Sequence, residues 1–124
     1  MKLLLDTHVL LWWLDDDARL DRSAADAIAG AELVAVSAAS AWEIGIKQAL
    51  GKLVGPDDLP AELASNAFTE LPVTVAHALA AGALPPRHSD LFDRMLVAQS
   101  RLEGLTLVTR DDRLADYGIA HLRA

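Results

Sequence analysis

The chain reads as an α/β protein built on a parallel sheet. Three observations predict this. Short apolar runs alternate with helical stretches along the whole length. The runs Leu3-Leu4-Leu5 and Leu105-Thr106-Leu107-Val108 lack clean in–out alternation. Glycines stand just past several of the helical stretches. Strand–helix alternation at this spacing implies parallel strands covered by helices. Apolar runs without alternation suit strands buried on both faces. With 124 residues and 52% apolar content, the chain is expected to form one domain, 1–124, around a packed core.

Each element follows from local signals. Lys2–Leu5 reads as a buried strand, and Thr7–Leu14 as a helix before the acidic turn Asp15–Asp17. Asp21–Ala29 reads as a helix with Gly30 just past its end. Leu33–Val36 is a second strand, and Ala38–Leu50 a helix closed by Gly51. Pro56 opens a new segment, with Leu59–Phe68 helical and Leu71–Val73 a third strand. Val75–Ala81 is a helix ending at Gly82, and Pro85-Pro86 marks a loop. Asp90–Glu103 is a long helix stopped by Gly104, and Leu105–Val108 is a clear strand. Asp111–Tyr117 is a short helix closed by Gly118, and Ile119–Leu122 is a last, weak strand.

Composition narrows the chemistry. There is no cysteine, which excludes disulfides, thiolate-held zinc and a cysteine nucleophile. Any metal must bind through oxygen or imidazole. The longest strongly apolar run, Val9–Leu14, is far short of a membrane span, and the charge at Asp6 interrupts any leader, so a cytoplasmic protein without membrane contact is expected. The net charge of −7 argues against a nucleic-acid partner, because a negative surface repels phosphates.

Four acids fall where parallel sheets carry their sites, in the crevice beyond the carboxyl ends of the strands. Asp6 follows the first strand, Glu43 lies in the helix after the second, Asp93 opens the long helix, and Asp111 lies three residues past Val108. Each alone has an ordinary explanation. Asp6, Asp90, Asp93, Asp111 or Asp112 can serve helix starts, where carboxylates accept orphan amides and suit the dipole. Glu43 fits a capping box with Ser40 and an i,i+4 pair with Lys47. Their conjunction at one sheet edge is less ordinary, because crowded carboxylates repel unless a cation sits among them. Hard oxygen donors without thiolates suit Mg²⁺ or Mn²⁺. Such an ion activates water, neutralises a phosphoryl oxygen, and screens the acidic pocket from a phosphate backbone.

Arg87, Arg94, Arg110 and Arg113 lie in the segments expected around the crevice and suit flanking phosphates. Surface solvation is the ordinary role for any one of them. His8 and His88 lack a second histidine at ligand spacing and are expected to pack or to support the acids; His77 and His121 carry no signal. Trp12, Trp13 and Trp42 are expected in the core or at a partner interface. Adjacent Trp12 and Trp13 cannot share one helix face, so one of them is a candidate for a subunit contact.

Four strings in order, Leu4-Leu5-Asp6-Thr7-His8, Ser40-Ala41-Trp42-Glu43-Ile44 with Lys47, His88-Ser89-Asp90-Leu91-Phe92-Asp93-Arg94, and Leu107-Val108-Thr109-Arg110-Asp111, together resemble PIN-domain ribonucleases, specifically the VapC toxins of bacterial toxin–antitoxin pairs. The resemblance covers essentially the whole chain. It implies a three-layer α/β/α fold with a central parallel sheet and Mg²⁺- or Mn²⁺-dependent cleavage of RNA that leaves a 3′-hydroxyl and a 5′-phosphate. It places Asp6, Glu43, Asp93 and Asp111 as the catalytic, metal-holding acids, with Asp90 as an extra acid and second choice. Thr7, Ser40 and Thr109 match hydroxyls that orient carboxylates or water, and Arg94 matches a basic residue beside the third acid. Lys47, Arg94 and Arg110 are the expected RNA-binding cations. The family further implies a small antitoxin with a basic tail, a homodimer, and DNA contact only indirectly, through the antitoxin. Leu91 departs from the proline often found there, and the Asp111-Asp112 pair leaves two carboxylates for one place.

The alternative is a PIN-like module that binds RNA or protein without cutting. A response-regulator receiver is disfavoured, because Leu71-Pro72-Val73 offers no phosphoacceptor aspartate and no lysine follows Lys52. A phosphatase with Asp-x-Asp after the first strand fails because position 8 is histidine.

Overall fold

A computed structural model describes residues 1–124. Five strands, β1 (Lys2–Leu5), β2 (Leu33–Ser37), β3 (Thr69–Leu71), β4 (Thr106–Thr109) and β5 (His121–Arg123), form one sheet in the order β3-β2-β1-β4-β5. Every neighbouring pair is parallel. Leu4 at the centre pairs with Ala35 on one side and Leu107 on the other. The helices are α1 (Thr7–Leu14), α2 (Arg22–Ala29), α3 (Ala38–Ala49), α4 (Leu59–Ser65), α5 (Val75–Ala83) and α6 (Leu91–Glu103), with a 3-10 helix at Asp112–Tyr117.

The period of two along β1 separates two cores. Leu3 and Leu5 pack with Val9 and Leu10 of α1, Ile28 of α2 and Leu63 of α4. Leu4 points the other way, with Leu96 and Val97 of α6, Leu107, Leu114 and Tyr117. All three β1 leucines are fully buried. This is the three-layer α/β/α arrangement, and it explains why the central runs do not alternate: both faces are apolar because both are covered.

Several boundaries differ from those read off the sequence. The helix from Leu59 stops at Ser65 rather than Phe68. Asn66 bonds back to the Glu62 carbonyl through its Nδ2, and Ala67 turns left-handed at φ 56°. The third strand therefore begins at Thr69 and ends at Leu71, two residues earlier than expected. Beyond it, Pro72 has no N–H for the ladder. Gly82 lies inside α5, which runs on to Ala83 before Pro85 and Pro86. The weak last strand occupies His121–Arg123 rather than Ile119–Leu122. Gly104 and Gly118 do close their helices, in the left-handed conformation that glycine adopts without strain.

Candidate active site

The chain crosses from the β2 side of β1 to the β4 side only once, so the switch in strand order lies at the carboxyl ends of β1 and β4. Asp6 stands at that point. Its backbone N–H donates to the Val108 carbonyl, which extends the β1–β4 ladder by one residue (3.0 Å). Its Oδ1 accepts the His8 amide (2.9 Å), so Asp6 also caps α1. Its Oδ2 accepts the Thr109 hydroxyl (2.8 Å), and Thr109 Oγ1 in turn accepts the Asp111 amide (3.0 Å). One buried hydroxyl thus ties the first acid to the backbone of the fourth.

The other acids converge on the same cleft of about 380 Å³, which Asp6, Glu43, Asp90, Asp93 and Asp111 all line. Glu43 is buried on α3, and its Oε2 accepts Lys47 Nζ at 2.8 Å. The capping-box expectation for Ser40 and Glu43 is overturned. Ser37 caps α3, because β2 runs one residue longer and enters the helix directly. Ser40 lies within the helix, and its Oγ accepts the Thr7 hydroxyl (3.0 Å), joining α1 to α3 beneath the site. Asp90 caps α6 by accepting the Asp93 amide (3.0 Å), without the proline often found after it. Asp111, not Asp112, lies in the cleft; it caps the 3-10 helix and takes a two-pronged contact from Arg113 (2.9 and 2.7 Å). Asp112 instead pairs with Arg123 (3.2 Å).

Charge is distributed unevenly among these groups. Burial, with the charges of Asp6 and Asp90 adding to it, pushes Asp93 up to about 6, against a lowering hydrogen bond from His88. Arg113 holds Asp111 below the ordinary carboxylate range. The hydrogen bond to Glu43 raises Lys47, and that to Asp6 raises His8. The residual unfavourable charge therefore concentrates at Asp93, where a cation would relieve it most. The donor set fits a divalent ion: His88, Asp93 and Asp111 each present one ligand atom, all within 4.8 Å of one another.

The cations assort differently from expectation. Lys47 and Arg110 line the cleft. Arg94 does not, and its expected place beside the substrate is corrected. Its guanidinium donates to the carbonyls of Ala81, Leu84, Pro85 and His88, at 3.0–3.3 Å. Those four acceptors hold the loop after α5 against α6. Arg110 lies over the Trp12 ring (4.5 Å) and donates to the carbonyls of Ala124 (2.8 Å) and Arg19.

Trp12 and Trp13 pack against the core, as expected of them. Both have internal partners: arginines over Trp12, and Asn66 with Phe68 beside Trp13. The exposed indole is Trp42, 67% accessible, in edge contact with Phe92 (5.3 Å). His88 is the residue that sequence reasoning undervalued. Its Nε2 lies 2.8 Å from Asp93 Oδ2 and 3.8 Å from Asp111 Oδ2. The string His88-Ser89-Asp90 before a helix start was the available signal, because a capped helix turns such a residue back over its own first turn. His77, which carried no signal, is buried and completes a capping box with Thr74. A larger groove of about 560 Å³ between α3, α4 and β3 is mainly apolar and contains none of the four acids.

The PIN-domain family pattern matches residues 3–120. The chain belongs to the PIN-domain family. A curated relative, Ribonuclease VapC22 of Mycobacterium tuberculosis, is 32% identical over 117 residues, spanning 92% of this chain and 90% of the relative. Among solved structures, VapBC2 of Rickettsia felis bound to a promoter DNA fragment covers 99% of this PIN domain and 98% of its own chain at TM-score 0.70 and 13% identity. A toxin–antitoxin complex from Klebsiella pneumoniae covers 92% and 90% at TM-score 0.65 and 20% identity. At those identities the structural neighbours speak to the PIN fold alone. No helix is long and apolar enough to cross a membrane.

Proposed function

We propose that this PIN domain is a divalent-metal-dependent endoribonuclease and the toxin of a toxin–antitoxin pair. The observation that carries the reading is the convergence of Asp6, Glu43, Asp93 and Asp111 on one cleft at the sheet's switch point. The 32% identical relative named a ribonuclease supports the activity.

In this reading Asp6, Glu43, Asp93 and Asp111 hold a Mg²⁺ or Mn²⁺ ion. When bound, that ion supplies an activated water and neutralises charge on the phosphate. The chain's own groups prepare the site. Thr109 fixes the Asp6 carboxylate, Thr7 and Ser40 lock α1 to α3, and Asp90 holds the start of α6 and so Asp93. Lys47 balances Glu43, leaving the cleft less repulsive to a phosphodiester. Lys47 and Arg110 at the cleft wall are the RNA-facing cations. Water adds to phosphorus, the bond to the 3′ oxygen breaks, and the products carry a 3′-hydroxyl and a 5′-phosphate.

The partner reading follows from surface chemistry. An acidic toxin suits a small antitoxin with a basic tail, and complementary charge speeds the encounter. DNA is then reached only through the antitoxin. Exposed Trp42, Leu50, Val75, Leu79 and Leu91 supply apolar area for the antitoxin and for a homodimer. One domain in the cytoplasm completes the reading.

The test is RNA cleavage by the wild type and Asp93→Asn in Mg²⁺, Mn²⁺ and EDTA. Metal-dependent cutting lost in the variant is expected. A folded, metal-binding wild type that cuts neither structured nor unstructured RNA would favour the non-cleaving module.

A further inference from the structure

We propose that His88 is a nitrogen ligand of the ion in this cleft, beside Asp93 and Asp111, and that it shifts the site's preference toward Mn²⁺ and other first-row transition ions over Mg²⁺. The inference rests on the reading of the cleft as a divalent-metal site, and adds a ligand outside the four acids.

Geometry is the first argument. An ion with six ligands at about 2.1 Å places neighbouring ligand atoms roughly 3 Å apart and opposite ones roughly 4.2 Å apart. His88 Nε2 is 2.8 Å from Asp93 Oδ2 and 3.8 Å from Asp111 Oδ2. The first contact is a hydrogen bond whose atoms already stand at the spacing of neighbouring ligands; the second lies between the neighbouring and opposite spacings, and the same nitrogen faces both carboxylates. Asp6 and Glu43 do not belong to this tightest group.

Preorganisation is the second. A ligand on a loop is useful only when the loop is held. The His88 side chain is 8% exposed. Its carbonyl accepts Arg94 Nη1 (3.3 Å), and Arg94 sits on α6 directly after Asp93. The same guanidinium holds Ala81, Leu84 and Pro85, and the Tyr117 hydroxyl also donates to Pro85 (3.3 Å). The loop carrying His88 is thereby fixed to the helix carrying Asp93. This gives Arg94 a role in positioning a ligand rather than in binding phosphate.

Ligand chemistry is the third. Mg²⁺ takes oxygen donors and parts reluctantly with water, whereas imidazole suits transition ions. One nitrogen among oxygens leaves Mg²⁺ binding possible and favours its softer competitors.

The experiment loads the full chain with Mn²⁺ and records pulsed electron paramagnetic resonance for the ¹⁴N coupling of a directly bound imidazole. Wild type is compared with His88→Gln and with His8→Gln, because His8 Nδ1 stands 3.7 Å from Asp6 Oδ1. Competition titration gives the Mn²⁺ to Mg²⁺ affinity ratio for each. The expected result is coupling in wild type and His8→Gln, none in His88→Gln, and an affinity ratio lowered by about 10-fold or more in that variant. Should His88→Gln misfold, His88→Ala with added imidazole recovers the coupling. Bound Mn²⁺ without imidazole coupling in wild type overturns the inference and leaves the metal site standing, as does coupling that survives in His88→Gln. No Mn²⁺ binding at all overturns both.

Discussion

Asp93 and Asp111 face the same cleft from neighbouring helix starts, yet their surroundings differ. Asp111 carries its own counter-ion, Arg113, on two hydrogen bonds, and stays easily ionised. Asp93 has no arginine or lysine on it; burial and two nearby acids push it up to about 6. Glu43 resembles Asp111 in this respect, with Lys47 as its partner. The contrast shows one way to keep such acids together: Asp111 and Glu43 carry basic partners, Asp6 is held by hydrogen bonds, and Asp93 is left with the imidazole of His88. Asp93 is where a cation gains most, and where its absence is felt most.

The largest way to break this contrast is Asp93→Asn. RNA cleavage should fall at least about a hundredfold, since a preorganised group at the reacting centre is lost. The rise in melting temperature on adding Mn²⁺ should shrink with it. Gel-based cleavage and thermal unfolding with and without the ion check both.

The same substitution should stabilise the metal-free protein at pH 7. The folded state holds the Asp93 proton more tightly than the unfolded chain, from the ordinary value of 3.8 up to about 6. Stability therefore falls as pH rises through that window, and the full penalty is present above it. With the carboxyl partly exposed, the penalty is on the order of 1–2 kcal/mol. Urea unfolding at pH 4 and pH 7 should show Asp93→Asn gaining on wild type only at the higher pH. Asp111→Asn should lose activity too, but without the gain in stability, because its charge is already matched.

Thr109→Val sharpens the contrast from beneath. It removes the hydroxyl that donates to Asp6 and accepts from the Asp111 amide. Leaving those buried partners unmatched should cost about 1–3 kcal/mol, read from the urea midpoint. Lys47→Met should cost less than Thr109→Val, about 1 kcal/mol, since the lysine side chain is 39% exposed although Glu43 beneath it is buried. An unfolding effect from Lys47→Met larger than that of Thr109→Val would mean that peripheral neutralisation matters more than the buried relay.

Much of the fold was legible because it follows from local rules. The β1 and β4 runs, the caps at Asp6, Asp90 and Asp111, and the glycine stops at Gly104 and Gly118 all declare themselves within a few residues. Misreadings came where distant contacts decide. Asn66 serves Trp13 across the fold, and α4 ends there. Ser40 answers to Thr7 on another helix rather than to its own amides. Arg94 and His88 are the clearest cases. The sequence marks both as charged or polar neighbours of Asp93, but only folding the 81–88 segment back against α6 separates the clamp from the candidate ligand. Side-chain direction on a loop has no periodicity from which to read it.

The strand order has a consequence for how the molecule comes into being. β1 is the first strand made and the central one, with β2 on one side and β4 on the other. On a ribosome it must wait until residues 106–109 emerge before its second edge is paired. Such sequence-distant pairing is slow to form and leaves an apolar strand exposed meanwhile. The Asp6–Thr109 bond spans 103 residues, so the cleft stays unbuilt until nearly all of those have been polymerised. A chain of this topology therefore holds its acids apart while it is being made, and the cleft comes into existence in one step, when β4 closes onto β1.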